Sequence, residues 1–174
     1  MKHILIVVDM QKDFVDGALG TPEAVAIVPN VAEKIRNFEG TIFVTYDTHG
    51  IDYLYTGEGR KLPVPHCIMG TPGWELDATI AAALDGKPFT KVEKPTFGAV
   101  ELPELVESAM GPGQFTVELV GLCTDICVVS NALLLKANFP EMEVFVDSAC
   151  CAGVTPESHQ AALTTMKMCQ INVK

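Results

Sequence analysis

Short, nearly continuous apolar runs punctuate the chain at residues 4–8, 41–45, 89–92, 116–121 and 144–146, with a weaker sixth at 171–173. Runs of this length, rich in β-branched residues and without polar alternation, fit strands covered on both faces, as in a parallel sheet. Between them lie segments of helical periodicity. Over residues 25–38, Val28, Val31, Ile35 and Phe38 fall close to one face of a helix. Residues 102–110, 125–137 and 156–168 read the same way, and Thr155-Pro156-Glu157 is a helix start: a capping hydroxyl, proline at the first position and an acid in the first turn. Strand alternating with helix predicts an α/β fold: a doubly wound, mainly parallel six-stranded sheet with helices on both faces, in one domain over residues 1–174.

One stretch breaks the alternation. Residues 48–71 are rich in Gly, Pro, Tyr and His and read as a loop, and a loop that long inside a compact domain is usually functional. In open α/β sheets functional groups gather at the carboxyl ends of strands. Asp9 ends the first run, Asp47 follows the second, Lys94 the third, Cys123 and Cys127 the fourth. Asp147 follows the fifth and reads as the cap of a turn with Ser148. Any one of these residues alone also suits a helix cap or a solvated turn. Together they bring an acid, a lysine and a thiol to one sheet edge, which is a nucleophile with its base and its pKa modifier. In Gly121-Leu122-Cys123-Thr124-Asp125-Ile126-Cys127 a glycine ends a strand, Thr124 or Asp125 can cap a helix, and Cys127 falls in its first turn. The dipole and free amides of such a turn favour a thiolate and can hold an oxyanion.

Composition narrows the field. Of 174 residues, 48% are hydrophobic and 20% charged, a globular balance. The formal net charge of −10 argues against nucleic-acid binding, which needs a basic footprint. No apolar run approaches the ~20 residues of a membrane span, and the first run meets Asp9 at once with no small-residue cleavage site, so it reads as a strand rather than a signal peptide. The expected location is cytoplasmic. Six cysteines without a secretory signal read as free thiols, the adjacent Cys150 and Cys151 included. His3 and His159 carry no motif and read as ordinary surface or core residues.

Three segments, in order along the chain, resemble the isochorismatase-like cysteine hydrolases. Asp9-Met10-Gln11-Lys12-Asp13-Phe14 is similar to the family's D-x-Q-x-D-F opening. Glu93-Lys94-Pro95-Thr96-Phe97-Gly98 looks like the segment that supplies its lysine, which favours Lys94 over the nearby Lys91. Residues 121–128 resemble its G-x-x-T-D-x-C-V nucleophile segment. The resemblance implies a triad of Asp9, Lys94 and Cys127, an oxyanion hole from the amides of Cys123 and Cys127, and a cis Leu122–Cys123 peptide.

Asp47-Thr48-His49 offers a carboxylate and an imidazole two residues apart; His66 can add a second imidazole, and Glu58 lies between them. Two histidines with one or two carboxylates suit Zn, Mn or Fe. The family's nicotinamidases carry D-x-H, a variable third ligand, then P-x-H followed by G-T-x-G, and here Pro63-Val64-Pro65-His66 precedes Gly70-Thr71-Pro72-Gly73. The resemblance therefore implies a divalent metal, zinc first, on Asp47, His49, Glu58 and His66. It also implies a ring pocket using Phe14, Leu19, Phe97 and Leu122, and nicotinamide as the substrate. Two departures stand: Leu62-Pro63 where many members have a tryptophan, and Ile126 where many have histidine. Another small amide or ureido compound is the alternative substrate, isochorismate a more distant one. A homo-oligomer is the family's usual assembly.

Overall fold

The computed structural model describes residues 2–111 and 113–174. Among these, strands β1 (Lys2–Val8), β2 (Thr41–Asp47), β3 (Thr90–Lys94), β4 (Phe115–Leu122), β5 (Glu143–Ala152) and β6 (Asn172–Val173) form a sheet in the order β3-β2-β1-β4-β5-β6. Every pair is parallel. The helices are α1 (Lys12–Val15), α2 (Pro22–Asn37), α3 (Gly57–Lys61), α4 (Ala78–Leu84), α5 (Leu102–Met110), α6 (Val129–Asn138) and α7 (Pro156–Met168). Alternation along β1 sends its side chains into two cores. Leu5 and Val7 join Ile27, Val31 and Ile35 of α2 and Ile80 and Leu84 of α4. Ile4, Ile6 and Val8 join Leu102 and Val106 of α5, Ala132 and Leu135 of α6, and Leu163 and Met166 of α7. Each such side chain larger than alanine, once buried, stabilises the fold by roughly 1.5–3 kcal/mol. The double cover explains why the central strands lack polar alternation. No helix among the described residues is long and apolar enough to cross a membrane.

Several boundaries differ from the sequence reading, each for a local reason. Helix α2 starts at Pro22 rather than residue 25, because Thr21 caps it: its Oγ1 accepts from Ala24 N–H at 3.0 Å. The stretch 48–71 is structured, with a 3-10 turn at Tyr53–Tyr55 and α3 capped by Thr56. Helix α4 has no counterpart in the sequence reading; Asp77 opens it by accepting from Thr79 and Ile80 N–H. The helix expected over 125–137 begins instead as one π-type turn, Thr124–Val128, and becomes α-helical at Val129. Strand β5 does not stop at Val146. Its register against β4 passes from Leu119–Val146 to Gly121–Cys151, so residues 147–150 bow out of the ladder. Asp147 therefore lies within the strand's span and not after it. It accepts from Ala149 N–H at 3.1 Å and meets Lys34 of α2 at 2.7 Å, the same ammonium that meets Glu118 of β4 at 2.7 Å.

The order of strands turns over between β1 and β4. In open α/β sheets the crevice beyond such a switch point, at the carboxyl ends, is where ligands bind. Gly121 brings these two strands together. Its φ is +118°, and a Cβ there would sit 2.1 Å from Val8 O, so only glycine fits.

Candidate active site

Asp9 leaves β1 in the left-handed region, φ +48°, an uncommon conformation for a non-glycine residue. Thr45 of β2 holds it there. Asp9 N–H donates to Thr45 O at 3.2 Å and Oγ1 at 3.1 Å, and Thr45 Oγ1 donates to Asp9 Oδ1 at 2.6 Å. The other carboxylate oxygen, Oδ2, lies 2.7 Å from Lys94 Nζ but makes no hydrogen bond of good geometry. Lys94, the last residue of β3, reaches across the end of β2. Its ammonium also lies 3.4 Å from Cys127 Sγ, 3.3 Å from Asp47 Oδ1 and 3.1 Å from Thr96 O. Lys91 stands apart, 3.7 Å over the Trp74 ring and 2.8 Å from Glu93. Asp9, Lys94 and Cys127 are 0%, 1% and 4% exposed, so charge here is stabilised by these neighbours rather than by bulk water.

That seclusion sets the protonation states. Burial raises the pKa of Asp9 above the ordinary carboxylate value, with the Lys94 charge opposing it. Burial first, then the Asp9 charge, pushes the Cys127 thiol well up, again against Lys94. Lys94 stays firmly protonated: burial disfavours its charge, but Asp9, Cys127 and Asp47 outweigh it. Desolvation here opposes the thiolate that a helix terminus and the lysine charge favour.

The turn that carries Cys127 starts at a cis Leu122–Cys123 peptide. Cys123 O accepts from Ile126 N–H at 3.1 Å and from Val128 N–H at 3.0 Å, which closes the π-type register. Asn131, one helical turn on and fully buried, donates to Cys127 O at 2.8 Å and Phe97 O at 3.2 Å and accepts from Ala99 N–H at 2.8 Å. It thereby fastens the segment after Lys94 to the helix that begins at the thiol.

On the other side of Lys94 lies a second cluster. Asp47 Oδ2 is 2.9 Å from His49 Nε2 and 3.4 Å from His66 Nε2. Glu58 Oε1 is 3.8 Å from the first imidazole nitrogen and 3.7 Å from the second. Asp47, His49 and His66 are buried, and one ligand atom from each lies within 4.8 Å of the others. His66 Nδ1 sits 2.8 Å from Val64 O, which orients the ring and leaves Nε2 facing the cluster. Burial opposes ionisation of Asp47, but hydrogen bonds from His49 and His66 and the charge of Lys94 hold its carboxyl well below the usual range. Asp47 thus divides its oxygens, Oδ1 to Lys94 and Oδ2 to the imidazoles.

Two residues of the first motif hold this cluster up. Gln11 accepts from Asp47 N–H at 2.8 Å and donates to Asp47 O at 2.9 Å and Trp74 O at 2.8 Å. Asp13 accepts at 2.8 Å from the N–H of Cys67, the left-handed residue after His66. Tyr53 packs edge-on against His49 and His66, its ring centre 4.8 and 5.0 Å from theirs. Of the ring-pocket candidates, Phe14 lies 5.4 Å from the His66 ring. Leu122 is fully buried in the same core cluster and Leu19 packs on its edge, whereas Phe97 is 43% exposed beyond Lys94. Sequence reasoning gave no role to Gln11, Asp13, Thr45, Tyr53 or Asn131. The first two lay inside a quoted motif and Thr45 was a polar residue inside an apolar run; Asn131 carried no signal.

Known proteins resemble this chain over its whole length. The isochorismatase-domain profile matches residues 3–173. A nicotinamidase/pyrazinamidase of Mycobacterium tuberculosis is 27% identical, covering 97% of this chain and 96% of its own. The crystal structure of a Bacillus subtilis nicotinamidase/pyrazinamidase superposes with a TM-score of 0.85 at 29% identity, covering 99% of both chains. That of a Pyrococcus horikoshii pyrazinamidase in complex with zinc gives 0.82 at 27% identity, covering 100% of this chain and 99% of the other.

Proposed function

The chain belongs to the isochorismatase family, and we propose that it is a cysteine amidohydrolase of that family which hydrolyses nicotinamide to nicotinate and ammonia. One observation carries the reading. A single buried ammonium, Lys94 Nζ, touches Asp9, Cys127 and Asp47, so an acid–thiol pair and a metal-ligand cluster share one cation. The full-length similarity to nicotinamidase/pyrazinamidases supports the same substrate class.

The reaction follows from the placement of these groups. As Cys127 Sγ attacks the carboxamide carbon, its proton passes to Asp9, whose Oδ2 has a lone pair to spare. Lys94 offsets the charge that develops on sulfur. The amides of Cys123 and Cys127 receive the carbonyl oxygen as it becomes an oxyanion. Asp9 returns the proton to the amide nitrogen, the C–N bond breaks, and ammonia leaves a thioester on Cys127. Asp9 then takes a proton from the water that attacks this thioester. The C–S bond breaks, the thiol recovers the proton, and nicotinate departs.

The donor set fits a divalent cation. Ligand atoms of Asp47, His49 and His66 lie within 4.8 Å of one another, and Glu58 Oε1 stands 3.8 and 3.7 Å from the two imidazole nitrogens, against roughly 3.4 Å between ligands of a tetrahedral zinc ion. Asp47, His49, His66 and Glu58 would hold it; zinc is the first choice, with manganese or iron as alternatives. When bound, such an ion supplies a Lewis-acid anchor for the pyridine nitrogen. Phe14, beside His66, and Phe97, beyond Lys94, offer apolar surfaces for the ring.

The test is ammonia release from nicotinamide, and from the related pyrazinamide, by purified protein before and after chelation. Activity that disappears with the chelator and returns with Zn, Mn or Fe is the expected result, as is its complete loss in a folded Cys127→Ala variant. A metal-replete protein that releases no ammonia from either compound would overturn the substrate assignment. Full activity in Cys127→Ala would overturn the nucleophile.

A further inference from the structure

His159, in the second turn of α7, belongs to none of the motifs above, yet its Nδ1 lies 2.8 Å from Thr124 Oγ1. Thr124 has no exposed surface; it directly follows Cys123 and opens the turn that carries Cys127. The next residue is moored to the same region, since both carboxylate oxygens of Asp125 accept from Val154 N–H, at 3.2 and 3.3 Å. Two successive residues of the nucleophile turn are therefore tied down, Thr124 to α7 and Asp125 to the link between β5 and α7. Gly153 permits the close approach, because a Cβ there would come within 2.9 Å of the His159 backbone. Helix α7 is itself firm at this end, with Thr155 and Ser158 forming a reciprocal capping box. A π-type turn is a rare departure from α-helical register, usually a single turn and frequent at functional sites; an external tie gives it one geometry. Burial lowers the pKa of His159, so the ring is neutral and can accept the threonine hydroxyl.

We infer that His159 is a positioning residue for the amidase reaction: acting through Thr124, it fixes the turn so that the Cys127 thiol and the oxyanion donors share one geometry. The inference rests on the reading of Cys127 as the nucleophile. His159→Leu and Thr124→Val each remove the bond while keeping much of the side chain's bulk. His159→Asn keeps a polar atom near Nδ1.

Kinetics on nicotinamide are expected to show kcat lowered about 10- to 100-fold in the Leu and Val variants, with KM changed less than about twofold, since displacement of reacting groups is costly in the chemical step. The double variant should be no worse than either single, and Asn should recover most of the loss. A folded His159→Leu protein with wild-type kcat, losses that add in the double variant, or an Asn variant as poor as Leu would each overturn the inference. If His159→Leu does not fold, Thr124→Val carries the same test. If the wild type leaves nicotinamide intact, the substrate reading fails and the turn is read by alkylation of Cys127 with iodoacetamide. A rate at least about threefold lower in the Leu and Val variants, recovered by Asn, supports the inference, and equal rates overturn it.

Discussion

Lys94 is one cation serving two buried carboxylates and a thiol, and its removal should be felt twice. Under the proposed mechanism Lys94→Met should abolish turnover and leave Asp9 and Asp47 without their shared countercharge, at a cost of roughly 3–5 kcal/mol. Urea denaturation of this variant beside Lys94→Met/Asp9→Asn checks the argument. Neutralising one orphaned acid should restore part of the stability and none of the activity. Gln11 acts on the neighbouring cluster by holding both backbone groups of Asp47. Gln11→Glu replaces the donor with an oxygen facing two carbonyls, so metal affinity, read by competition with a chromophoric chelator, should fall about 10- to 100-fold. Asp9, Lys94 and Cys127 were legible in the sequence because each follows a recognisable strand. Thr45 and Asn131 were not, because their partners depend on which residues the register sets opposite them. The burial that opposes a Cys127 thiolate was not legible either, because a motif names a candidate nucleophile while its desolvation follows from packing.

Among the elements, the outward bow of β5 does what a turn was expected to do, and ties three elements together. Lys34 of α2 meets Glu118 of β4 and Asp147 of β5. Burial opposes ionisation of Asp147, but the Lys34 ammonium holds its carboxyl below the ordinary value. A carboxylate depressed in the folded state contributes stability that is present above its unfolded pKa, about 3.9, and is lost as pH falls through the folded one. Melting temperature should therefore decline below about pH 4 in the wild type and more gently in Asp147→Asn, measured from pH 2 to 7. Parallel acid limbs would show that the pair contributes nothing. The central strands of the sheet were readable from unbroken apolar runs, whereas β5 was cut short because Asp147-Ser148 reads as punctuation. Helix α4 escaped notice at seven residues, although the Asp77 cap was there to be read. Helix α3 is mostly polar and glycine-containing, and only its threonine cap marks it.

At the scale of the whole molecule, the site lies where strand order turns over, so that residues from β1, β2, β3 and the β4–α6 junction meet without any one element supplying a complete function. The metal-ligand cluster draws its atoms from β2 and the segment that returns to it, and an ion bound there should stabilise the fold as well as the substrate. At a thousandfold excess over Kd, binding to the folded state alone is worth about 4 kcal/mol, which for a domain of this size is a rise in Tm of about 8–16 °C. Thermal melts with zinc and with a chelator measure it, and a His49→Ala/His66→Ala protein should show no shift.

The same strand order has a consequence for how the protein is made. Strand β1 is synthesised first yet sits in the middle of the sheet, and the partner for one of its edges begins only at Phe115. A ribosome must therefore hold out an apolar ribbon, Ile4 to Val8, with one side unpaired until the fourth strand has been made. That ribbon is a template for neighbouring nascent chains, and arrest of translation before Phe115 should yield a chaperone client rather than a partial enzyme.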